Sequence, residues 1–241
     1  MRKRASAAAL GIRLTAMPVF AAILVASILQ VVAFLVSQTY WTSEVYDWAY
    51  SFDMILEEKF VAFTGKMSFL GIMAVLGVTA GSAKSRIGYT IRRLRIGENE
   101  LTGIWALIFS GYFLISWGVQ LALVLGMFAR YAQVTGWGAM ELFTSSFRSD
   151  YFHMLLPLAE PLGYVRNVFL CLGWGTMGAL LGRSARHGGK IHMAFALIVI
   201  SAVLLIPEVA TASADVMLCV AMVVIILVQT TMIKGVEQNE D

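Results

Sequence analysis

Six long apolar stretches follow one another along the chain, and shorter polar segments separate them. A helix needs about 20 apolar residues to cross roughly 30 Å of hydrocarbon. The pattern therefore predicts an all-α integral membrane protein, with six transmembrane helices in a single domain over residues 1–241. The approximate predicted spans are 14–37, 60–80, 101–128, 162–181, 191–206 and 216–233.

The composition agrees with a chain that faces lipid over most of its surface. Hydrophobic residues make up 59% of the chain and charged residues 14%, whereas a soluble domain has about 25% charged residues. No separate soluble domain and no nucleic-acid partner are therefore expected. Cys171 and Cys219 lie in apolar stretches, where we expect small buried side chains rather than a disulfide or a metal site.

Lys and Arg residues are concentrated in every second gap between the predicted spans. Thirteen of the eighteen lie before the first span, between the second and third, between the fourth and fifth, or after the sixth. Positive charge is retained on the cytoplasmic side of a membrane. The distribution therefore predicts a multi-pass protein of the cell membrane whose N- and C-termini are both cytoplasmic.

A short amphipathic helix is predicted at 85–96, between the second and third spans. Ile87, Ile91 and Leu94 recur there at helical spacing, and arginines occupy much of the remainder. One interpretation is a basic interfacial helix that contacts anionic lipid headgroups. The other is a docking helix whose apolar stripe enters a groove of a cytoplasmic partner. Periodicity alone does not separate the two interpretations.

The basic N-terminus, the six predicted spans and this Arg-rich helix resemble the permease subunits of ABC-2-type ABC transporters. The likeness is closest in Gly88-Tyr-Thr-Ile-Arg-Arg-Leu-Arg-Ile-Gly-Glu-Asn-Glu-Leu, which leads directly into the third span. In that family the loop carries a coupling helix that rests on a separate nucleotide-binding subunit. The resemblance implies an ATPase-docking surface at Ile87, Tyr89, Ile91, Arg92, Arg93, Leu94 and Arg95.

The resemblance also implies the partners and the direction of transport. It implies an exporter in which a cytoplasmic ABC ATPase subunit binds ATP and Mg. Six spans are half of the usual twelve-helix pathway, so a second permease copy or a paralogue is implied, with membrane lipid around both. The sequence contains no Gly-x-x-x-x-Gly-Lys-[Ser/Thr] phosphate loop. We therefore expect this chain to carry no cofactor and not to be an enzyme itself.

The chain departs from the resembled family on the outer side of the membrane. The family often places re-entrant helices between its fifth and sixth spans, and here the corresponding gap, 208–215, is too short for them. The earlier segment 139–158 is apolar enough to lie in the interface or to dip into the membrane. We expect this segment to be the longer outer element.

Polar residues within the spans or at their edges are candidates for a transport pathway, because burying charge in a membrane is unfavourable. These candidates are Lys66, Gln120, Glu160, Arg166 and Asn167.

Each candidate also has a purely structural interpretation. Lys66 can extend to the headgroups or pair with Glu57 or Glu58. Glu160 and Arg166 can pair with each other. Polar side chains such as Gln30, Gln120 and Asn167 more often form interhelical hydrogen bonds than bind a ligand.

Two other classes of function compete with the permease. The first is a non-transporting assembly or regulatory subunit, whose aromatic and acidic outer segment 38–59 senses an external partner. The second is an intramembrane enzyme, which is disfavoured because no catalytic constellation is present. The three histidines, His153, His187 and His192, also lack metal-site spacing.

Overall fold

Every regular element in the described part of the chain is helical. The computed structural model describes residues 2–41, 50–58, 60–81, 96–136, 138–158, 160–187, 216–217, 219–224, 227 and 231. No strand occurs among these residues, so the predicted all-α class is confirmed for them. The helices are α1 (Arg2–Trp41), α2 (Phe52–Glu58), α3 (Val61–Gly81), α4 (Glu98–Thr135), α5 (Ala139–Arg148), α6 (Asp150–Leu155) and α7 (Pro161–His187).

Four of the predicted spans correspond to described helices. The spans 14–37, 101–128 and 162–181 lie within α1, α4 and α7, and 60–80 matches α3 to within one residue at each end. Residues 216–217 and 219–224, in the predicted sixth span, are helical. The predicted fifth span, 191–206, lies outside the described residues, as does nearly all of the predicted docking helix.

Three of the described helices are long and apolar enough to cross a membrane. They cover Lys3–Ser37, Val61–Thr79 and Glu98–Thr135, with mean hydropathies of 2.8, 1.7 and 1.8 in their most apolar windows. Large apolar side chains on α1 face outward, including Met17 at 83% exposure and Leu24 at 60%. Such surfaces are unfavourable in water and suit lipid. The fold is therefore that of a helical membrane protein.

The four long helices alternate in direction. Arg4 near the start of α1 pairs with Glu100 near the start of α4, so these helices run parallel. Arg183 near the end of α7 donates to Asn99 at the start of α4 (2.7 Å), so α7 runs the other way. Helix α3 runs parallel to α7, because Phe69 packs on Trp174 with ring centroids 5.2 Å apart and, further along both helices, a Cβ on Gly178 would lie 3.4 Å from Leu76. We call the end of the bundle where Arg4 and Arg183 lie beside the start of α4 the Arg4 end.

The opposite end, which we call the Phe52 end, is closed by short helices. Phe52 on α2 is fully buried. Its ring packs against Phe128 (5.3 Å between centroids), Tyr131 (5.5 Å) and Phe152 (6.3 Å). The Tyr131 hydroxyl also donates to the Tyr50 carbonyl (2.8 Å). These contacts join α2 and α6 to the far half of α4.

Helices α4 and α7 approach closely because α7 has glycine at the contact. A Cβ on Gly175 would lie 2.3 Å from the backbone nitrogen of Ser110, and one on Gly178 would lie 3.2 Å from Phe109. Small residues let helix backbones approach within a membrane, where packing replaces the hydrophobic effect as the driving force. Gly175 therefore fixes the spacing of the two helices.

We expect Gly175→Ala to lower the midpoint of thermal unfolding in detergent, because the added methyl group forces α4 and α7 apart. Overpacking of this kind typically destabilises a protein by about 1–3 kcal/mol. Gly118→Ala on α4 is the matched control, since a Cβ there meets nothing within 4 Å. Equal midpoints for the two variants would contradict the close crossing.

Candidate functional site

A cluster of buried polar side chains lies inside the bundle, centred on Tyr151. Gln30 of α1, Gln120 of α4 and Tyr151 of α6 are all 0% exposed, and Ser68 of α3 is 3% exposed. Four separate helices therefore place polar groups at one point in an otherwise apolar interior. We call this set of four residues the Tyr151 cluster.

The hydrogen bonds of the cluster form a single directed chain. Gln30 Nε2 donates to the Tyr151 hydroxyl (3.0 Å), which donates to Gln120 Oε1 (2.7 Å). Gln120 Nε2 then donates to Ser68 Oγ (3.3 Å), which donates to the Gly65 carbonyl (2.7 Å). Each hydroxyl donates once and accepts once, so the chain is held together without any formal charge.

Gly65 creates the space that the Tyr151 ring occupies. A Cβ at this position would lie 2.0 Å from the Tyr151 hydroxyl oxygen and 2.4 Å from Cζ. Any side chain on Gly65 would therefore displace the ring. The absence of a side chain lets the phenol rest directly on the backbone of α3.

The start of α6 is fixed so that Tyr151 points into the bundle. Ser149 is the N-cap of α6, and its Oγ accepts from the Phe152 amide (3.2 Å). Glu57 Oε1 accepts from Ser149 Oγ (2.7 Å) and from the Tyr151 amide (3.2 Å). A carboxylate at a helix N-terminus satisfies free N–H groups and complements the helix dipole. Glu57 of α2 thus positions the residue that enters the cluster.

The Tyr151 phenol remains protonated under physiological conditions. Burial raises the pKa of Tyr151 well above its ordinary value, and the nearby Glu57 carboxylate acts in the same direction, although the hydrogen bond from Gln30 opposes them. A protonated hydroxyl is required for the bond that Tyr151 donates to Gln120. The direction of the hydrogen-bond chain is therefore fixed.

Two buried polar atoms in or near the Tyr151 cluster can each form a further hydrogen bond. Gln30 Oε1 and Ser116 Oγ are buried and have no hydrogen-bond partner among the described residues. Ser116 lies one helical turn before Gln120, on the same face of α4. Buried polar atoms are normally satisfied. The cluster can therefore accept a further neutral hydrogen-bonding group without separating charge.

The predicted pathway residues fall at different places. Gln120 forms interhelical hydrogen bonds, as expected for a polar residue within a span. Asn167 Nδ2 donates to the Met154 carbonyl of α6 (2.7 Å). Arg166, 6% exposed, donates from Nε to Asn167 Oδ1 (3.4 Å). Asn167 thus joins α7 to the short helix that carries Tyr151.

The structure shows other contacts for the residues of the two suggested ion pairs. Lys66 is half-buried on α3, and Glu57 accepts from Ser149 and the Tyr151 amide instead of pairing with it. Glu160 lies just before α7, and Arg166 donates to Asn167 Oδ1. The suggested pairing of Glu160 with Arg166 stays a prediction. The Glu58 side chain and the docking residues from Ile87 to Arg95 lie outside the described residues.

Sequence reasoning missed Tyr151, Ser68 and Glu57 as parts of this site. Tyr151 stands in an apolar segment whose pattern indicates an interfacial element, and nothing local shows that its ring enters the bundle. The one available signal was Ser149 followed by Asp150, which is typical of a helix start. No group of three or more His, Cys, Asp or Glu side chains able to hold a metal occurs in the described ranges.

No family model, no curated protein and no solved structure matches this chain. The fold and the site together define a helical membrane protein with a neutral polar cluster in its interior.

We expect Tyr151→Phe to lower the midpoint of thermal unfolding, because Gln30 and Gln120 lose their shared partner while the ring volume is kept. Leaving buried groups unsatisfied destabilises a protein by about 1–3 kcal/mol. Tyr164→Phe is the control, since that side chain is 37% exposed on α7. If the two variants unfold at the same temperature, the hydroxyl does not hold the cluster together.

A second expectation concerns Gly65→Ala, whose methyl group would push the Tyr151 ring out of the bundle. Hydrogen–deuterium exchange of residues 149–155 should then rise, because α6 loses its attachment. Gly71→Ala on the same helix is the control, as a Cβ there meets nothing within 4 Å. Unchanged exchange in the Gly65 variant would show that α6 does not depend on this contact.

Proposed function

We propose that the chain is the membrane-spanning permease subunit of an ATP-driven transporter, with ATP and Mg bound by a separate nucleotide-binding subunit. The main observation that supports the proposal is that α4 is one continuous helix from the predicted docking segment to the opposite end of the bundle. This helix begins at Glu98, directly after the predicted docking segment, and runs unbroken to Thr135 past Gln120 of the Tyr151 cluster. A force applied at 85–96 would therefore reach the polar interior through one rigid element.

The proposed orientation puts the Arg4 end in the cytoplasm and the Phe52 end outside. Helix α3 ends and α4 begins at the Arg4 end, so residues 82–95 connect them there. Lys3, Arg4 and Arg183 lie at the same end, and positive charge favours the cytoplasmic side. Six spans with both termini in the cytoplasm complete this proposal.

The proposed mechanism uses the Tyr151 cluster as the closed point of the pathway. Closure of the ATPase would push the docking helix and tilt α4, which would draw Gln120 away from Tyr151. The polar groups released in this way would then face a solute instead of each other. A second permease copy or a paralogue would supply the other half of the pathway, and transport would run outward.

The double variant Ile91→Asp with Leu94→Asp tests the docking step. We expect the ATPase subunit to be lost from affinity-purified protein, because two buried charges would face an apolar groove. Mass spectrometry of the material purified from native membranes in mild detergent measures the loss. Gel filtration of the permease checks that the bundle remains folded.

The matched control is Ser82→Asp with Ser85→Asp, which adds the same charge on the side opposite the predicted apolar stripe. This variant should retain the ATPase. Equal retention by both double variants would contradict docking through the stripe. Absence of any protein with a phosphate loop from wild-type material would favour the non-transporting assembly or regulatory subunit.

A further inference from the structure

A cleft between α4 and α7 lies away from the Tyr151 cluster, at the Arg4 end. Its volume is about 360 Å³. It begins beside the close contact of Ser110 with Gly175 and extends to Asn99 and Arg183. The described residues that line it are Asn99, Thr102, Gly103, Ala106, Thr176, Leu180 and Arg183.

The lining changes from polar to apolar along the helices. Asn99 and Arg183 stand at one end of the cleft, and Leu180 lies about one turn from Arg183. Ala106 and Thr176 lie at the other end, where the Thr176 hydroxyl donates to the Leu172 carbonyl of its own helix (2.8 Å). Ala106 lies seven positions beyond Asn99 on α4, which corresponds to about 10 Å at 1.5 Å per residue. The cleft therefore offers a polar end and an apolar end over the length of a small amphiphile.

Arg183 gives the polar end a positive charge in a fixed position. The residue is 4% exposed, and its Nη1 donates to Asn99 Oδ1 at 2.7 Å. It is the charged residue among the described lining residues. A guanidinium group matches the geometry of phosphate oxygens and is held here without further ordering.

The cleft opens toward the lipid-facing surface. Gly103 is exposed at its edge, and Leu107, one turn further along α4, is 71% exposed. An exposed leucine on a membrane-spanning helix contacts acyl chains. The polar end lies within the first turns of α4, where a membrane-spanning helix meets the headgroup layer, and charged pockets between helices at this level suit anionic headgroups.

We infer that this cleft binds a phosphate group, carried by the headgroup of a membrane phospholipid. The phosphate lies against Arg183 and Asn99, and the acyl chains leave past Gly103 and run along Leu107. This site does not depend on the proposed transport function. A soluble phosphate compound shares the same recognition chemistry, and the experiment separates the two sources.

The experiment measures phosphatidylglycerol binding to the delipidated, detergent-purified full chain by native mass spectrometry. Arg183→Gln removes the charge, and Gly103→Leu fills the cleft. A Cβ on Gly103 meets nothing within 4 Å, so the second variant folds even if the first does not. Arg13→Gln is the control, because it removes an exposed arginine of α1 outside the cleft lining.

We expect Arg183→Gln to bind phosphatidylglycerol about tenfold more weakly, the loss that follows from one charged hydrogen-bonding group. Gly103→Leu should also weaken binding, because its side chain occupies the cleft, and Arg13→Gln should bind normally. Diacylglycerol has the same acyl chains without the phosphate. Its binding should therefore be equal for the wild type and Arg183→Gln. Equal phosphatidylglycerol binding by the wild type and Gly103→Leu overturns the site.

Inorganic phosphate is tested in parallel by its effect on thermal unfolding. A saturable shift that disappears in both cleft variants, without phosphatidylglycerol binding, supports a phosphate site and overturns the lipid source. Absence of a shift together with Arg183-dependent phosphatidylglycerol binding supports the lipid headgroup. Absence of both effects overturns the inference.

Discussion

The structure depends on one phenol resting on a glycine in the interior of the bundle. The Tyr151 hydroxyl joins Gln30 of α1 to Gln120 of α4, and its ring occupies the space that Gly65 leaves on α3. A neutral hydrogen bond is strong in an apolar interior because water does not compete for it. This contact is one of those that attach the segment 139–158 to the long helices, beside the bond from Asn167 to the Met154 carbonyl.

Helix α4 connects the two ends of the bundle, the cleft and the Tyr151 cluster. It starts beside Arg4 and Arg183, forms one wall of the cleft that Asn99 and Arg183 line, passes Gln120 and ends against the aromatic cluster around Phe52. Its close contact with α7 at Gly175 prevents the two helices from sliding apart near the middle. Movement of α4 would therefore change the cleft and the polar cluster together. A lipid bound in the cleft would affect the position of α4 and, through it, the polar cluster.

The sequence predicted the long helices well because the avoidance of polar groups in hydrocarbon is a local property of each stretch. It did not predict the site, because the site joins residues far apart in the chain, such as Gln30 and Tyr151, 121 positions apart. The role of Glu57 in the site was missed for the same reason. Its carboxylate serves the start of α6 rather than Lys66, and the sequence gives no sign that α6 packs beside it.

The most direct test of the account asks whether the two ends of the bundle lie on opposite sides of the membrane. Single cysteines at Lys3 on α1 and Met140 on α5, both exposed, would be introduced after Cys171 and Cys219 are changed to alanine. A membrane-impermeant maleimide applied to sealed right-side-out vesicles should label position 140 and should label position 3 only after lysis. Labelling of both positions, or of position 3 alone, in sealed vesicles would contradict the account.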